Sequence, residues 1–330
     1  MSHPVLQIEN LQTHFFTDRG QIPAVDGVSI TVNKGEVVGI VGESGCGKSV
    51  TSLSVMKLVP NPPGKIVGGA IKFKGEDLVS VDEKRMRAIR GNEIAMIFQE
   101  PMTSLNPVMK IGEQLMESIR LHLGYSDKQA REHAISMLTK VGIPRPQEII
   151  NEYPHQLSGG MRQRIMIAMA MSCQPNLLIA DEPTTALDVT IQAQILDVMK
   201  QLQADEHMSM LLITHDLGVV AEMCNRVVVM YAGRVVEEAS VLDLFDDPKH
   251  PYTKGLIGSV PKLGQKRSRL DSVPGNVPNP NQMPKGCKFA PRCKDVMPVC
   301  WEEEPAITTT GPERFCRCWL YSEESRDAHV

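Results

Sequence analysis

The chain has 330 residues, 42% of them hydrophobic, and carries a net charge of −4 at pH 7. This length suffices for one large hydrophobic core with a smaller appendage, so folding should not need disulfides. The basic residues are dispersed, which argues against DNA or RNA as a partner. No apolar run is as long as a membrane span, and residues 1–10 lack the order of a signal peptide. We therefore expect a cytosolic protein that reaches a membrane only through another subunit.

The first predicted elements are strands of an antiparallel sheet. Two N-terminal segments place apolar residues at spacings typical of strands. A third segment, Ile71–Phe73, follows Gly68-Gly69 and extends the sheet. The apolar positions of the first two segments are Val5, Ile8, Leu11, Val28, Ile30 and Val32.

A strand, a glycine-rich loop and a helix are predicted over Val37–Val41, Gly42–Ser49 and Val50–Leu58. The loop fits the P-loop pattern, in which backbone N–H groups wrap phosphate oxygens, Lys48 reaches the terminal phosphates and Ser49 holds Mg²⁺. A glycine-rich turn that binds nothing is the alternative, and the strand-loop-helix setting disfavours it. The residues predicted to bind the nucleotide are Gly42, Glu43, Ser44, Gly45, Cys46, Gly47, Lys48, Ser49 and Val50.

Residues from about 102 to 160 change to a helical pattern. One set of apolar residues follows the spacing of a single helix face. Near the end of this stretch Ser158 is a good helix N-cap, while Gly159 and Gly160 allow close backbone approach, so the helix start favours a phosphate. A plain helix cap is the alternative. The residues of the apolar face are Ala130, Ala134, Met137, Leu138 and Val141.

Two adjacent carboxylates, Asp181 and Glu182, follow a predicted buried strand over Leu177–Ala180. Successive side chains of an extended segment point to opposite sides. We therefore expect Asp181 to approach Mg²⁺ and Glu182 to face the attacking water as the proton acceptor of phosphoryl transfer. A solvated acidic turn is the alternative, and the P-loop makes catalysis the preferred interpretation.

Later segments complete the predicted core. A helix follows Asp188, a strand over Met210–Ile213 precedes His215, and two strands within Val227–Glu238 flank a turn at Ala232-Gly233. The core should end near Pro251, which divides the chain into residues 1–255 and residues 256–330. The apolar positions of the helix are Ile191, Ile195, Val198, Met199 and Leu202.

The last part of the chain is rich in proline and cysteine and has little periodicity. Disulfides are improbable in a cytosolic chain, which makes a soft-metal site the favoured interpretation. The spacing matches neither a paired zinc motif nor a ferredoxin run, so zinc, an iron–sulfur cluster and free thiols stay open. The cysteines concerned are Cys287, Cys293, Cys300, Cys316 and Cys318.

Four segments together resemble the ATPases of ABC transporters: Leu157–Gln163, Asp181-Glu182, Ala186–Asp188 and Ile213–Asp216. The resemblance implies an α/β P-loop NTPase fold with a RecA-like core, an antiparallel β subdomain and a helical subdomain over about 102–160. In this family the Ser-Gly-Gly signature of one subunit closes over ATP held by the P-loop of another. Ser158, Gly159 and Gly160 are therefore expected to bind ATP across a head-to-tail dimer.

The same resemblance implies roles for individual residues. His215 is expected to hydrogen-bond the γ-phosphate beside the catalytic Glu182. Gln99 is expected to contact Mg²⁺ and the attacking water, and to couple nucleotide state to a membrane partner. Asp188 resembles the aspartate that communicates across the dimer interface, and Asp181 matches the Mg²⁺ ligand.

An aromatic side chain ahead of the P-loop usually stacks on adenine in this family. Phe15 takes that position when Leu6–Leu11 is placed on the first strand, and a slip of one residue substitutes Phe16. Core packing by both phenylalanines is the alternative.

The C-terminal part resembles the extension of oligopeptide and dipeptide importer ATPases. The resemblance is carried by His250–Thr253, Gly286–Cys293, Cys300 and Cys318–Leu320. It implies a [4Fe–4S] cluster on Cys287, Cys293, Cys300 and Cys318, with Cys316 as the alternative fourth ligand, in a small irregular domain over 256–330.

This second resemblance implies a subunit that hydrolyses ATP to energise uptake of dipeptides and short peptides. The expected partners are a related second ATPase, two transmembrane permease subunits and, indirectly, a periplasmic binding protein. The expected location is the cytoplasmic side of the bacterial inner membrane. Alternatives are a soluble ABC-type ATPase of translation or DNA repair, a regulatory module that holds ATP, or an importer of nickel or haem.

Overall fold

The computed structural model describes residues 4–18, 20–99, 104–185, 188–259, 273–279 and 282–322. Its Cα positions group into two compact units. The first unit comprises residues 1–6, 31–37 and 72–213, and the second comprises residues 7–30, 38–71 and 214–330.

The strands within the described residues are numbered here in chain order. They are β1 (Pro4–Thr17), β2 (Gly20–Asn33), β3 (Val37–Val41), β4 (Gly64–Phe73), β5 (Glu76–Asp77), β6 (Ile94–Ile97), β7 (Leu177–Asp181), β8 (Ser209–Ile213), β9 (Arg226–Tyr231), β10 (Arg234–Ser240), β11 (Thr308–Gly311) and β12 (Arg314–Cys316).

The α-helices of the same residues are numbered in the same way. They are α1 (Lys48–Val55), α2 (Glu83–Ile89), α3 (Ile111–Leu123), α4 (Asp127–Lys140), α5 (Pro146–Ile149), α6 (Gly159–Met171), α7 (Val189–Glu206), α8 (Leu217–Met223), α9 (Val241–Asp246), α10 (Pro251–Gly258) and α11 (Val299–Glu302). Short 3-10 helices cover Pro154–Gln156, Ala290–Arg292 and Trp319–Tyr321.

The first unit has three adjacent parallel strands, β6, β7 and β8. Leu177 of β7 pairs with Ile94 on one side and with Ser209 on the other. Every residue of β7 and β8 is buried, as expected for parallel strands covered on both faces. Helices α3, α4 and α6 pack against one another in the same unit.

Helix α4 illustrates why the helical pattern was readable from the sequence. Ser126 caps the helix by accepting a hydrogen bond from the Gln129 N–H. The predicted apolar face is buried at Ala130, Ala134 and Met137. The helical segment expected from the spacing is thus present, and its buried side lies where the pattern predicted.

The second unit contains a run of strands in the order β3, β9, β10, β12 and β11. The β3 and β9 strands are parallel, with Val38 opposite Arg226, and the pairs that follow are antiparallel. The turn predicted between β9 and β10 is present, and both Ala232 and Gly233 have positive φ values of 46° and 81°. The N-terminal strands β2, β1 and β4 are neighbours in that order.

Three aromatic rings form the centre of a buried cluster in the second unit. The ring of Tyr231 lies 4.8 Å from that of Tyr252 and 5.2 Å from that of Phe289, measured between centroids. The cluster joins β9, α10 and the C-terminal region in one hydrophobic core. Residues after 255 therefore pack with the strands that precede them.

The boundaries of the two compact units do not coincide with the predicted division at residue 255. Helix α10, Pro251–Gly258, runs across that position without a break. The division into an ATPase domain over residues 1–255 and a C-terminal extension over residues 256–330 therefore stays a prediction.

Candidate functional site

The glycine-rich loop lies between β3 and α1, as predicted. Helix α1 begins at Lys48 and ends at Val55, which places its start two residues earlier and its end three residues earlier than the pattern indicated. Gly42 and Gly47 have φ values of 155° and 102°. A Cβ atom at Gly42 would lie 2.3 Å from the Met230 carbonyl oxygen, so this close backbone approach requires glycine.

The Lys48 ammonium is held inside the loop. Its Nζ donates hydrogen bonds to the carbonyl oxygens of Gly42, at 2.7 Å, and Glu43, at 3.2 Å. Only 6% of the residue is exposed. A buried ammonium beside a loop of backbone N–H groups is the arrangement that phosphate binding requires.

Glu43 connects the loop to residues more than two hundred positions away. Its backbone N–H donates to the Tyr252 hydroxyl oxygen at 2.8 Å. Its carboxylate accepts two hydrogen bonds from the Arg292 guanidinium, at 2.6 Å and 2.9 Å. Sequence reasoning missed both partners, since no local pattern relates residues so far apart.

Cys46, also predicted to contact the nucleotide, is 1% exposed. Burial raises the pKa of its thiol, and the nearby Lys48 ammonium acts in the opposite direction. The thiol is therefore kept protonated, in which form it is a poor nucleophile.

The two candidate adenine-stacking residues differ in exposure. Phe16 is 50% exposed, whereas Phe15 is half-buried, and its Cε1 lies 2.9 Å from where a Cβ of Gly64 would be. Thr13, two residues earlier on β1, shares a hydrogen bond of 2.9 Å with Ser54 of α1. Phe15 thus lies on the face of β1 that contacts the helix following the loop.

A cavity of 510 Å³ adjoins the same loop. Its walls include Ser44 and Gly45 of the loop, Ala24 of β2, and Val277 and Met283 of the C-terminal region. The C-terminal region therefore lines the space beside the loop.

The acidic pair lies in the first unit, at the end of β7. The strand includes Asp181, which is 4% exposed, and stops there. Glu182 has a φ of 48° and donates its N–H to the Ile213 carbonyl at 2.8 Å. We expected Asp181 and Glu182 to point to opposite sides because both would lie on one extended strand. The strand ends at Asp181, so that argument does not apply to Glu182.

Two side chains hold the Glu182 carboxylate. Gln99 donates from Nε2 to Oε2 at 3.0 Å, and Thr185 donates from Oγ1 to the same oxygen at 2.9 Å. The structure therefore brings together Gln99 and Glu182, which the sequence singled out 83 positions apart. Thr185 was missed, although a hydroxyl three residues after a carboxylate in a turn is a readable signal.

Ser158 and Asp188 each cap a helix of the first unit. The Ser158 hydroxyl accepts from the Met161 N–H at 3.3 Å, which starts α6 as expected. The Asp188 carboxylate accepts from the Ile191 N–H at 2.9 Å and starts α7. A Cβ built on Gly159 would meet no atom within 4 Å. Of the Ala186–Asp188 motif, residues 186 and 187 lie outside the described part.

His215 follows β8 and belongs to the second unit, where it is exposed. Its neighbour Asp216 caps α8 by accepting from the Gly218 N–H at 2.8 Å. The preceding residue, Thr214, donates its N–H to the Ile40 carbonyl at 3.2 Å, which ties the start of this loop to β3.

The C-terminal cysteines separate into two groups. The Cys287 N–H donates to the Cys300 carbonyl at 2.8 Å, and the Cys287 carbonyl accepts from the Ala290 N–H at 3.0 Å. Burial raises the pKa of Cys318 to about 12, and the charges of Cys287, Cys293 and Cys300 add to the effect.

The pKa of the Cys316 thiol is affected by a different set of neighbouring groups. Burial also raises its pKa, with Glu237 as the next cause and Cys318 the only other thiol involved. Within the described residues, no three His, Cys, Asp or Glu side chains are placed to hold a metal ion. The cysteines are close enough to influence one another, but their side chains do not form a coordination shell.

Two family descriptions match parts of the chain. Residues 25–185 match the family of ABC transporters, and residues 236–300 match the oligopeptide/dipeptide transporter C-terminal region. Among solved structures, a dimeric post-hydrolysis state of the ATP-binding cassette MJ0796, bound to ADP and Pi, matches with a TM-score of 0.64 and 26% identity. That match covers 72% of this chain and 98% of the other. The fold and site define an ATPase of the ATP-binding cassette class.

Two curated relatives extend the similarity over nearly the full length. The chain is 54% identical over 323 residues to the oligopeptide transport ATP-binding protein AppD of Bacillus subtilis (strain 168), with 98% of each chain covered. It is 51% identical over 324 residues to the dipeptide transport ATP-binding protein DppD of the same organism, covering 98% of this chain and 97% of the relative. The chain belongs to the family of oligopeptide and dipeptide ABC transporter ATP-binding proteins.

The resemblance inferred from the motifs is thus confirmed, and the alternatives of translation or DNA repair are not favoured. Within the described residues, the helices are too short or too polar to cross a membrane.

Proposed function

We propose that this chain is the ATP-hydrolysing subunit of a bacterial ABC importer and energises uptake of dipeptides and short peptides. The observation that carries the proposal is the full-length similarity to relatives named for oligopeptide and dipeptide transport. The Glu182 carboxylate, held by Gln99 and Thr185, supplies a base that is compatible with ATP hydrolysis.

The nucleotide is proposed to bind along the loop that follows β3. Lys48 neutralises the terminal phosphates, the N–H groups of residues 42–50 wrap the phosphate oxygens, and Phe15 stacks on adenine. Ser49, Gln99 and Asp181 are the residues that would hold Mg²⁺, and the ion would lower the effective charge of the phosphates. Glu182 accepts the proton of the attacking water, and His215 hydrogen-bonds the γ-phosphate.

A second ATPase subunit, related to this chain but different from it, is proposed to complete each site. Ser158, Gly159 and Gly160 at the start of α6 offer N–H groups to a phosphate held by that subunit, and Asp188 communicates across the interface. The open space around Gly159 is compatible with such an approach. A dimer is also the state named for the related cassette structure.

The remaining partners are two transmembrane permease subunits and, indirectly, a periplasmic peptide-binding protein. Attachment to those subunits gives a peripheral location on the cytoplasmic side of the inner membrane. The helical region over about 102–160 offers the surface for the permease, and Gln99 at its boundary senses the nucleotide.

Residues 256–330 are proposed to form a small domain with an iron–sulfur cluster. Cys287, Cys293, Cys300 and Cys318 would be the ligands. The backbone hydrogen bond between Cys287 and Cys300 supports the choice, and the side chains would have to move to form a coordination shell. A bound [4Fe–4S] cluster cross-links its cysteines and thereby stabilises an irregular segment. Cys316, whose pKa is raised first by burial and then by Glu237, is the alternative fourth ligand.

The cluster is tested by iron content and visible absorbance of anaerobically purified protein. Cys287→Ser and Cys318→Ser should lose iron, whereas Cys316→Ser should retain it. Equal iron loss in Cys316→Ser and Cys318→Ser contradicts the choice of the fourth ligand, and iron-free wild-type protein contradicts the cluster.

The transport function is tested in cells that lack the natural gene. Wild-type protein should restore uptake of a labelled dipeptide, Glu182→Gln should not, and Glu222→Gln, at an exposed glutamate of α8, should behave as wild type. Detergent-solubilised membranes should yield two permease subunits with the tagged chain. Recovery of the chain without any transmembrane subunit contradicts the proposal.

A further inference from the structure

A contact between the phosphate-binding loop and the C-terminal region extends the site beyond the ATPase motifs. The carboxylate of Glu43, the second residue of the loop, faces the guanidinium of Arg292. The two residues are 249 positions apart in the chain. Their side chains are 29% and 4% exposed, so the pair is largely removed from water.

Arg292 is fixed by more than its carboxylate partner. Its Nε donates to the Pro274 carbonyl at 2.8 Å, and its Nη2 donates to the Gly275 carbonyl at 3.2 Å. The guanidinium also lies 5.7 Å from the ring centroid of Tyr231 and 5.9 Å from that of Phe289. A guanidinium held on several sides presents its fork in one orientation, which suits a bidentate carboxylate contact.

Each polar group of Glu43 is engaged. The N–H donates to Tyr252, the carboxylate accepts from Arg292, and the carbonyl accepts from Lys48. Lys48 is the residue proposed to reach the terminal phosphates. The position of the ammonium therefore depends on a backbone segment that the C-terminal region holds in place.

The charge of Glu43 gives the contact a second consequence. A carboxylate in a phosphate-binding loop repels the phosphates, and the repulsion is strong where water is partly excluded. Arg292 neutralises that carboxylate at hydrogen-bonding distance. Without the arginine, ATP would meet both a looser loop and an uncompensated negative charge.

We propose that Arg292 is a positioning residue for ATP binding, which acts through Glu43 to fix the loop and to cancel its negative charge. The C-terminal region is then part of the ATP-binding machinery. The proposal rests on the assignment of residues 42–50 to the phosphates of ATP, and it is independent of any metal on the cysteines.

The test measures the dissociation constant of ATP for the purified full-length chain carrying Glu182→Gln, so that ATP is not consumed. Arg292→Gln should weaken ATP binding about tenfold, because it leaves the Glu43 carboxylate unpaired. Adding Glu43→Gln removes the unpaired charge, and affinity should recover to about threefold below the parent. Recovery on a second substitution separates a charge effect from damage to the fold.

Arg314→Gln is the matched control. Arg314 is also in the C-terminal region, is 7% exposed like Arg292, and contacts Asp247 in place of the loop. It should leave the affinity for ATP within about twofold of the parent, because it leaves the charge beside the phosphates unchanged. An Arg314→Gln defect as large as that of Arg292→Gln would overturn the proposal.

Three other results would also overturn it. They are an unchanged affinity in Arg292→Gln, a further loss of affinity when Glu43→Gln is added, and retained affinity in Lys48→Ala. The last result would show that the loop itself is misassigned, whereas the first two leave that assignment intact. If Arg292→Gln does not fold, the double variant Arg292→Gln/Glu43→Gln, which leaves neither charge unpaired, still tests the pair. It should bind ATP about threefold more weakly than the parent, and an affinity equal to that of the parent would overturn the proposal.

Discussion

Two parts of the proposed ATP site differ in where their supporting residues come from. One is the acidic edge, Asp181-Glu182 after β7, and the other is the glycine-rich loop, Gly42–Ser49 after β3. At the acidic edge, Gln99 and Thr185 hold Glu182, and all three residues carry or adjoin motifs of the ATPase family. At the loop, Tyr252 and Arg292 hold Glu43 from the far end of the chain. The proposed hydrolytic residues are thus held from within the ATPase motifs, whereas the proposed phosphate-binding loop is held by residues of the C-terminal part, outside the ATPase motifs.

This contrast predicts that substitutions at the acidic edge and at the loop impair different properties of the protein. Changes at the acidic edge should abolish turnover and leave ATP binding intact. Changes at the contacts of the loop should weaken ATP binding or stability and leave the chemistry of bound ATP intact.

The largest expected effect is at the acidic edge. Glu182→Gln removes the proton acceptor, and we expect ATP turnover to fall about 10³-fold, within the range of lost general base catalysis. The amide can still accept a hydrogen bond from Gln99 or Thr185, so the local structure should persist. Turnover and equilibrium ATP binding are measured side by side, and undiminished turnover would remove Glu182 from its role.

The second effect concerns His250, which caps α10 beside Tyr252. Its Nδ1 accepts from the Tyr252 N–H at 3.1 Å, and burial, with a smaller contribution from Lys254, lowers the pKa of the imidazole to about 3. Between about 6.5 and 3 the unfolded chain therefore binds a proton on this residue that the folded chain does not. The free energy of unfolding should fall with decreasing pH in that window, by at most about 1.4 kcal/mol per unit from this group.

Asn at position 250 provides the control, because it retains a capping oxygen and does not titrate. Urea unfolding of both proteins at pH 7 and pH 5 gives the two slopes. The stability of His250→Asn should depend less on pH than that of the wild type, and equal slopes would show that His250 is not the group responsible.

Tyr252→Phe should produce the third effect. It removes the acceptor of the Glu43 N–H and leaves the ring in the aromatic cluster, so we expect a loss of about 1–2 kcal/mol in the free energy of unfolding. ATP affinity should fall as well, while the turnover rate at saturating ATP should stay near the wild-type value. A fall in that saturated rate without a loss of affinity would contradict the conclusion that the contacts of the loop act on ATP binding and not on turnover.

The smallest effect is expected at Ser158. Ser158→Ala removes the cap of α6, which should cost about 1 kcal/mol of stability in the isolated chain. ATP turnover by the assembled transporter should fall more than that loss explains, because the cap fixes the helix start whose N–H groups are proposed to bind a phosphate held by the second subunit. Thermal unfolding of the chain and ATPase assays of the complex measure the two consequences separately.

Most of the fold was predictable, because its elements bear strong local patterns. The buried strand ahead of the P-loop, the apolar face of α4 and the turn at Ala232-Gly233 each follow from spacing or turn chemistry. Helix boundaries were less accurate at α1, since glycine residues and hydroxyl side chains near its ends allow several starting points.

The site was predictable only where motifs marked it. The sequence placed Gln99 and Glu182 at the same attacking water, which is compatible with their hydrogen bond. The left-handed conformation of Glu182 was not predicted, because nothing in the residue type requires it. Arg292 lies in the Gly286–Cys293 segment that carries the importer resemblance, but that resemblance implied no role for the arginine. Its importance comes from long-range packing around Tyr231 and Phe289, which a single sequence does not encode in any local pattern.

The uninterrupted helix from Pro251 to Gly258 has a practical consequence for anyone expressing a shortened ATPase. A recombinant fragment that stops at residue 255 would cut this helix one turn after Tyr252 and discard Arg292 altogether. Such a fragment would retain the ATPase motifs from Gly42–Ser49 to Ile213–Asp216, and we expect it to bind ATP poorly all the same. A shortened ATPase derived from this chain should therefore keep both the whole of α10 and Arg292.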